Sequence, residues 1–313
     1  MTDTSSPGAA RAAPVPAAGN RPSRNARRVT AIALLFTAPA FAIYAAFVLV
    51  PLAMSFYYSL QRWDGIGKMR FAGLNNYLIV LTDSDLLQII GNAFQLVGYF
   101  TLIPVILGLA VAAVIREHMS GPFGTTARTV LFLPQVIPLV AAGIAWSWMF
   151  ANSGLVNQAL HGMGLGHLAR GWLGDFTFAL PAVGIIGAWV LLGLCTMLLV
   201  TGITKIDPSL YEAARLDGAN PWDEFIHITL PGLRQEIGVC VTVTVIAALA
   251  SFDIVYIATS GGPGIQTTVP GLEIYRLAFA HRQVGLASAL AIFLMVLVLV
   301  CVLPIQWLTR VKR

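Results

Sequence analysis

Between Tyr211 and Pro231 the chain reads YEAARLDGANPWDEFIHITLP, and Glu212, Arg215, Asp217, Asp223 and Glu224 crowd into it. Acids and bases at such spacing can cap helices, pair with one another or dock against a charged partner. They do not form a bond-making constellation. The chain contains neither G-x-S-x-G nor H-E-x-x-H, so no nucleophile elbow and no zinc-hydrolase helix is written in it. GGPGIQTT at 261–268 has glycines and threonines but no lysine where a phosphate-cradling loop needs one. His118, His161, His167, His227 and His281 are scattered, and Cys195, Cys240 and Cys301 each lie in an apolar stretch. No metal site is expected from these spacings, nor any catalytic residue; the cysteines read as small core hydrophobes. One further carboxylate, Asp253, stands alone in apolar sequence.

The elements that position these residues must suit a membrane. Of 313 residues, 57% are hydrophobic and 11% charged, against about 25% charged in soluble domains. The net charge of +5 is small and not arranged as a basic stripe with aromatics, so no nucleic-acid partner is expected. A bilayer span needs about 20 mostly apolar residues. Charge-free runs at 29–61, 86–115, 129–169, 176–204 and 283–309, with one run around Asp253, predict six spans near 31–53, 88–113, 129–150, 178–202, 237–259 and 285–307. The fold class expected is an all-α membrane protein. Residues 1–28, rich in Ala, Pro, Arg and Ser, read as a disordered tail. The long apolar run that follows does not resemble a cleaved signal.

With six spans both ends share a side. Lys and Arg number 13 on the loops of that side and 6 on the other, and positive-inside bias assigns the richer side to the cytoplasm. Both termini and the charged loop 204–235 are then cytoplasmic. Trp63 and Trp172 near outer span ends and Trp307 near an inner one read as interfacial anchors.

Within the loop, Ser209 followed by Glu212 has the spacing of a capping box, and Asp207 before Pro208 offers an alternative start. Ala213, Ala214, Arg215 and Leu216 favour helix. Gly218 suits a left-handed stop. Asn220 can cap a second helix that Pro221 opens, and Pro231 should break it after Leu230. Leu210, Ala213 and Ala214 can share a small-residue face. From these features alone, docking and mere surface packing remain equal alternatives. Asp253, placed within the fifth span, would cost about 2.5–3.5 kcal/mol on insertion scales, so it should face a wet interior. It either lines a substrate path or pairs at the outer rim.

Glu212-Ala213-Ala214, three residues, Gly218, nine residues, Ile228, one residue, Leu230-Pro231 resembles the EAA signature of inner-membrane permeases in ATP-binding-cassette importers, at every position. FAGLNNY (71–77), RTVLFLPQVIPLVAAGIAWSWMF (128–150), GLVNQAL (154–160) and TSGGP (259–263) are similar to the carbohydrate-type permeases, in that order. GNAF (91–94) departs from their frequent Asn-Thr. The resemblance implies a type I importer permease fold in a bacterial-type inner membrane. It implies a second permease subunit as heterodimer partner, a cytoplasmic ATPase dimer and an extracytoplasmic solute-binding protein, with membrane lipid around and a sugar as cargo. Glu212, Ala213, Ala214, Arg215, Asp217 and Gly218 would couple to the ATPase, which would hold ATP and Mg while this chain binds no cofactor. Ser209, Asn220, Pro221, Leu230 and Pro231 would shape the loop. Other polar cargo, such as glycerol phosphate or a polyamine, is the alternative within the family. An ion-driven carrier or channel would instead show charged relays within spans or internal repeats, and a membrane enzyme would show a catalytic constellation.

Overall fold

A computed structural model describes residues 24–117 and 122–309. The chain divides into two units, 1–53 and 54–313. In the first, a helix begins at Arg24 and continues through a π-helical turn at Ala45–Leu49. Residues 24–28, expected in the tail, are therefore helical, and the tail expectation for 1–23 lies outside the described residues.

The second unit is a helical bundle built around Ala179–Ile203. This helix is apolar on every side and mostly buried, as such a helix must be. Its glycines admit its neighbours. A β-carbon at Gly193 would lie 2.5 Å from the Leu131 carbonyl oxygen, and one at Gly187 would lie 2.0 Å from the Phe100 ring. Small residues permit this approach where lipid gives helices no hydrophobic reason to associate. Ser84–Glu117 packs along one side, joining Leu96 and Phe100 to Val183 and Ile186. Arg234–Leu249 packs against Ser84–Glu117, where buried Thr244 donates to Thr101 at 3.0 Å. Val284–Thr309 closes the bundle.

Four helices are long and apolar enough to cross a membrane: Leu34–Ser59, Ser84–Val114, Ala179–Ile203 and Val284–Thr309. Two bent pairs make the count six: Thr129–Val136 with Leu139–Met149, bent by 105°, and Pro221–Gly232 with Arg234–Leu249, bent by 68°. The third span is thus sharply broken. Pro138 adopts an extended backbone (ψ 137°) between its halves, and the chain before a proline is pushed out of helix as well.

The fifth span also departs from expectation. Its helix stops at Leu249, and a separate helix, Asp253–Ala258, follows a three-residue break. Asp253 therefore follows a helix break and does not sit within a continuous helix. It opens a short helix, where the dipole favours a carboxylate, and its side chain is exposed on the chain and borders a cavity. Of the expected anchors, Trp63 and Trp172 are half-buried on the chain: the Trp63 indole donates to the Gly67 carbonyl and that of Trp172 to the Asn157 amide oxygen.

Candidate functional site

The charged loop folds as two helices. In Pro208–Leu216 the cap is Asp207, whose carboxylate accepts from the Ser209 N–H at 2.9 Å. That contact holds its pKa below the ordinary aspartate range. Ser209 lies inside the helix, so the Ser209–Glu212 capping box does not form: Pro208 supplies a preset first turn and moves the start two residues earlier. Gly218 takes φ +85°, and a β-carbon there would touch nothing within 4 Å. The demand on it is conformational, not spatial. Asn220 caps the second helix through Trp222 and Asp223, and Asp223 returns a bond to the Asn220 N–H. Pro221 occupies the first turn.

Pro231 does not end this helix. Phe225–Thr229 widens into a π turn, and helix continues through Leu230 and Pro231 to Gly232. A proline lacks an N–H to donate, and a π turn relieves the ring's clash with the preceding carbonyls. The bend comes at Leu233.

Two polar ties hold the helices together, and neither was evident from spacing alone. Arg215 Nε lies 2.6 Å from Glu224 Oε1, with the glutamate side chain almost completely buried. The Tyr211 hydroxyl meets Thr229 Oγ1 at 3.0 Å in the interior. At the base, Lys205 pairs with Glu236 at 3.0 Å, and Gly232 lies so close to Ile206 that a β-carbon would be 2.7 Å away. Arg234 donates to the Leu308 carbonyl, fixing the module to the end of the last span.

What the module presents outward follows from these ties. Tyr211 is buried, Ala214 half-buried, and Leu210, Glu212, Ala213, Leu216 and Asp217 exposed. The two alanines thus do not share one open face, because Ala214 turns towards the second helix with Tyr211. Leu216 is 90% exposed and Trp222 66%, a large apolar display for a charged loop. Glu212 has no hydrogen-bond or ion-pair partner among the described residues.

Asp253 occupies a second place. The breaks in the third and fifth spans face one cavity of about 500 Å³, lined among others by Gln135, Pro138, Gly187, Ser251, Phe252 and Asp253. The Gln135 amide oxygen is buried without a hydrogen-bond partner. Such an orphan acceptor costs about 1–3 kcal/mol unless water or a solute satisfies it. No Lys or Arg lines the cavity. The TSGGP segment is tied internally: Thr259, Thr267 and Thr268 bond to one another or to Gly261 and Gly262, and Arg276 grips the Ser260 carbonyl. Asn92, in the departing GNAF stretch, is buried and donates to the Ile265 and Thr268 carbonyls at 2.9 Å. Among the described residues no cluster of three metal-ligating side chains occurs.

Comparison with known proteins places this geometry. Residues 104–311 match the family described as binding-protein-dependent transport system inner membrane component. The chain is 34% identical to the probable ABC transporter permease protein YurN of Bacillus subtilis, covering 86% of this chain and 92% of that one. It is 32% identical to the diacetylchitobiose uptake system permease protein NgcF of Streptomyces coelicolor, over 92% and 85%. It is 32% identical to the trehalose/maltose transport system permease protein MalF of Thermococcus litoralis, over 90% and 94%. A crystal structure of a bacterial ABC transporter importing the acidic polysaccharide alginate superposes with TM-score 0.77 at 23% identity, covering 92% of this chain and 99% of that one. The chain, with its six-span all-α fold and its two-helix loop, belongs to the binding-protein-dependent transport system inner membrane component family of ABC importer permeases.

Proposed function

We propose that this permease forms half of a translocation path for a sugar or oligosaccharide. The observation that carries the reading is the cargo in the names of its relatives: diacetylchitobiose in one and trehalose/maltose in another. The cavity between the broken spans supports it. Its polar groups include the uncharged Gln135 and Ser251, with Asp253 as a hydrogen-bond acceptor and Phe252 as an apolar face. A lining without Lys or Arg disfavours glycerol phosphate.

In this reading Pro208–Leu216 docks, through Glu212, Ala213, Leu216 and Asp217, into a cytoplasmic ATPase that binds ATP and Mg. Closure of an ATPase dimer turns the loop, and the ties at Arg215–Glu224 and Lys205–Glu236 pass the motion to the fourth and fifth spans. A second permease subunit supplies the other half of the path, and a solute-binding protein delivers cargo from outside. A binding protein accompanies the related alginate importer in its crystal structure. Both termini face the cytoplasm.

The test is ATP hydrolysis by the reconstituted complex, stimulated by binding protein loaded with candidate cargo. Neutral oligosaccharides should stimulate; stimulation by glycerol phosphate or a polyamine alone would overturn the carbohydrate reading. Orientation is tested by Leu165→Cys in a cysteine-free chain. An impermeant thiol reagent should label it from outside, and labelling only from the cytoplasm would invert the topology.

A further inference from the structure

A second, basic pocket lies at the other end of the molecule. It has a volume of about 430 Å³ and gathers Arg62, Lys68, Arg70 and Arg282 around a single carboxylate, Asp64. Four of the six Lys and Arg on the charge-poor side of the chain meet here. None of the four has an ion-pair or hydrogen-bond partner on its side chain among the described residues. Asp64 offsets only part of this charge: its carboxylate accepts from the N–H groups of Ile66 at 3.0 Å and Gly67 at 2.6 Å, and Arg282 is near enough to attract it without forming an ion pair.

The pocket is a built one. Gln61–Arg62 pairs antiparallel with Arg70–Phe71. Buried Asn76 donates to the Ser59 and Gln61 carbonyls at 2.8 and 2.9 Å. Gly285 lies so close that a β-carbon would be 2.0 Å from the Gln61 carbonyl oxygen. The cations are thus carried on a hairpin pinned between the helix ending at Ser59 and the start of Val284–Thr309. That last helix runs 26 residues to Thr309, beside the loop at Arg234. The pocket is therefore on the order of 40 Å from the coupling module, at the opposite edge of the bundle.

The surroundings identify the depth. Ile66, Phe71, Leu74, Leu78 and Leu81 are each more than half exposed. Leu74, Leu78 and Leu81 recur at helical spacing, opposite the buried Asn76 and Val80. An apolar rim beside unpaired cations, at the end of two spans, has the chemistry of the boundary between acyl chains and headgroups. A soluble acidic protein would match the cations but not the leucine face.

We propose that this pocket binds the phosphate of an anionic phospholipid headgroup, with the acyl chains lying along the Leu74–Leu81 face. Guanidinium groups fit phosphate oxygens in pairs, so Arg62, Arg70 and Arg282 make the contacts and Lys68 adds charge. Free phosphate shares the headgroup chemistry but cannot use the leucine face.

The experiment is native mass spectrometry of the full chain in detergent, with phosphatidylglycerol, with phosphatidylcholine, and with phosphatidylglycerol competed by inorganic phosphate. Phosphatidylglycerol should be retained over phosphatidylcholine and resist competition. Retention should fall about fivefold for each cation removed in Arg62→Gln, Arg70→Gln and Arg282→Gln, and on the order of a hundredfold in the triple variant. Asp64→Asn keeps the turn acceptor while removing the lone negative charge, and should raise retention. It decides the matter even if the triple variant does not fold. Unchanged retention in these variants overturns the proposal. So does full displacement by inorganic phosphate, or retention of a soluble hexaglutamate peptide in place of the lipid.

Discussion

Gly193 in the fourth span and Gly218 in the charged loop both favour glycine, for different reasons. At Gly193 the backbone is ordinary helix, and the restriction is the Leu131 carbonyl oxygen, 2.5 Å from where a β-carbon would be. At Gly218 there is no neighbour within 4 Å, and the restriction is φ +85°. The bundle is held by how closely helices approach, whereas the loop is held by local backbone geometry and a few polar ties. A substitution that is harmless in one region should be damaging in the other.

The largest effect belongs to the bundle. Gly193→Ala should already reduce the folded protein recovered from membranes, since overpacking costs about 1–3 kcal/mol and here the obstacle is backbone that cannot rotate aside. Gly193→Val should be worse. Thermal unfolding of the purified chain measures both; wild-type stability in Gly193→Ala would mean that the third and fourth spans are not packed as described.

Gly218→Val should leave the spans intact and cost roughly 1 kcal/mol or more in the loop. Its signature is transport lost with the bundle's thermal transition nearly unchanged. Gly218→Asn should recover much of the loss, because asparagine tolerates the left-handed conformation. If asparagine fails as badly as valine, the position is needed for space against a partner and the contrast with Gly193 disappears.

The two regions were also unequally legible. The loop's stops and starts are local: Pro208, Gly218, Asn220 and Pro221 act within a few residues, so sequence alone places both helices. Even there Asp207 displaced Ser209 as cap, and a π turn carried helix past Pro231. The Arg215–Glu224 and Tyr211–Thr229 ties were hidden because they depend on how two helices fold back. The spans were legible as apolar runs, while their breaks were not. An apolar run has the same composition whether it is straight or bent by 105°, and Pro134 and Pro138 permit a kink in the third span without fixing its size. Asp253 was expected within one continuous fifth helix for that reason: the helix ends four residues before it, at Leu249, with no charge or proline to mark the break.

Asp253 bears on the contrast from the cavity side. Asp253→Asn keeps its shape and some of its hydrogen bonding while removing charge. The exposed carboxylate supports no packing, so assembly should be unaffected while cargo-stimulated ATP hydrolysis falls several-fold. Gln135→Leu should act similarly on transport, and it removes the orphan acceptor, so the chain should be no less stable. Wild-type stimulation in both variants would put the solute path elsewhere.

The smallest effects separate capping from docking inside the loop. Because Asp207 is the cap, Glu212 has no structural task within its own helix, and Glu212→Gln should not alter folding at all. It should still weaken ATPase retention and stimulated hydrolysis if the exposed carboxylate meets a cation on the partner. Asp207 behaves in the reverse way. Its pKa is lowered by the Ser209 N–H, so its contribution is present at neutral pH, above the unfolded value. That contribution is lost as pH falls through the folded value. Asp207→Asn should be nearly silent at pH 7, because asparagine caps comparably well, and should remove the Asp207 share of the loop's acid sensitivity, leaving that of Asp223 and Glu224. Asp207→Ala should loosen Pro208–Leu216 at every pH. Hydrogen exchange of residues 208–218, measured beside ATPase retention, reads the two effects independently. Faster exchange in Glu212→Gln would make that residue part of the helix's own scaffold. Normal ATPase retention in the same variant would remove it from the docking surface.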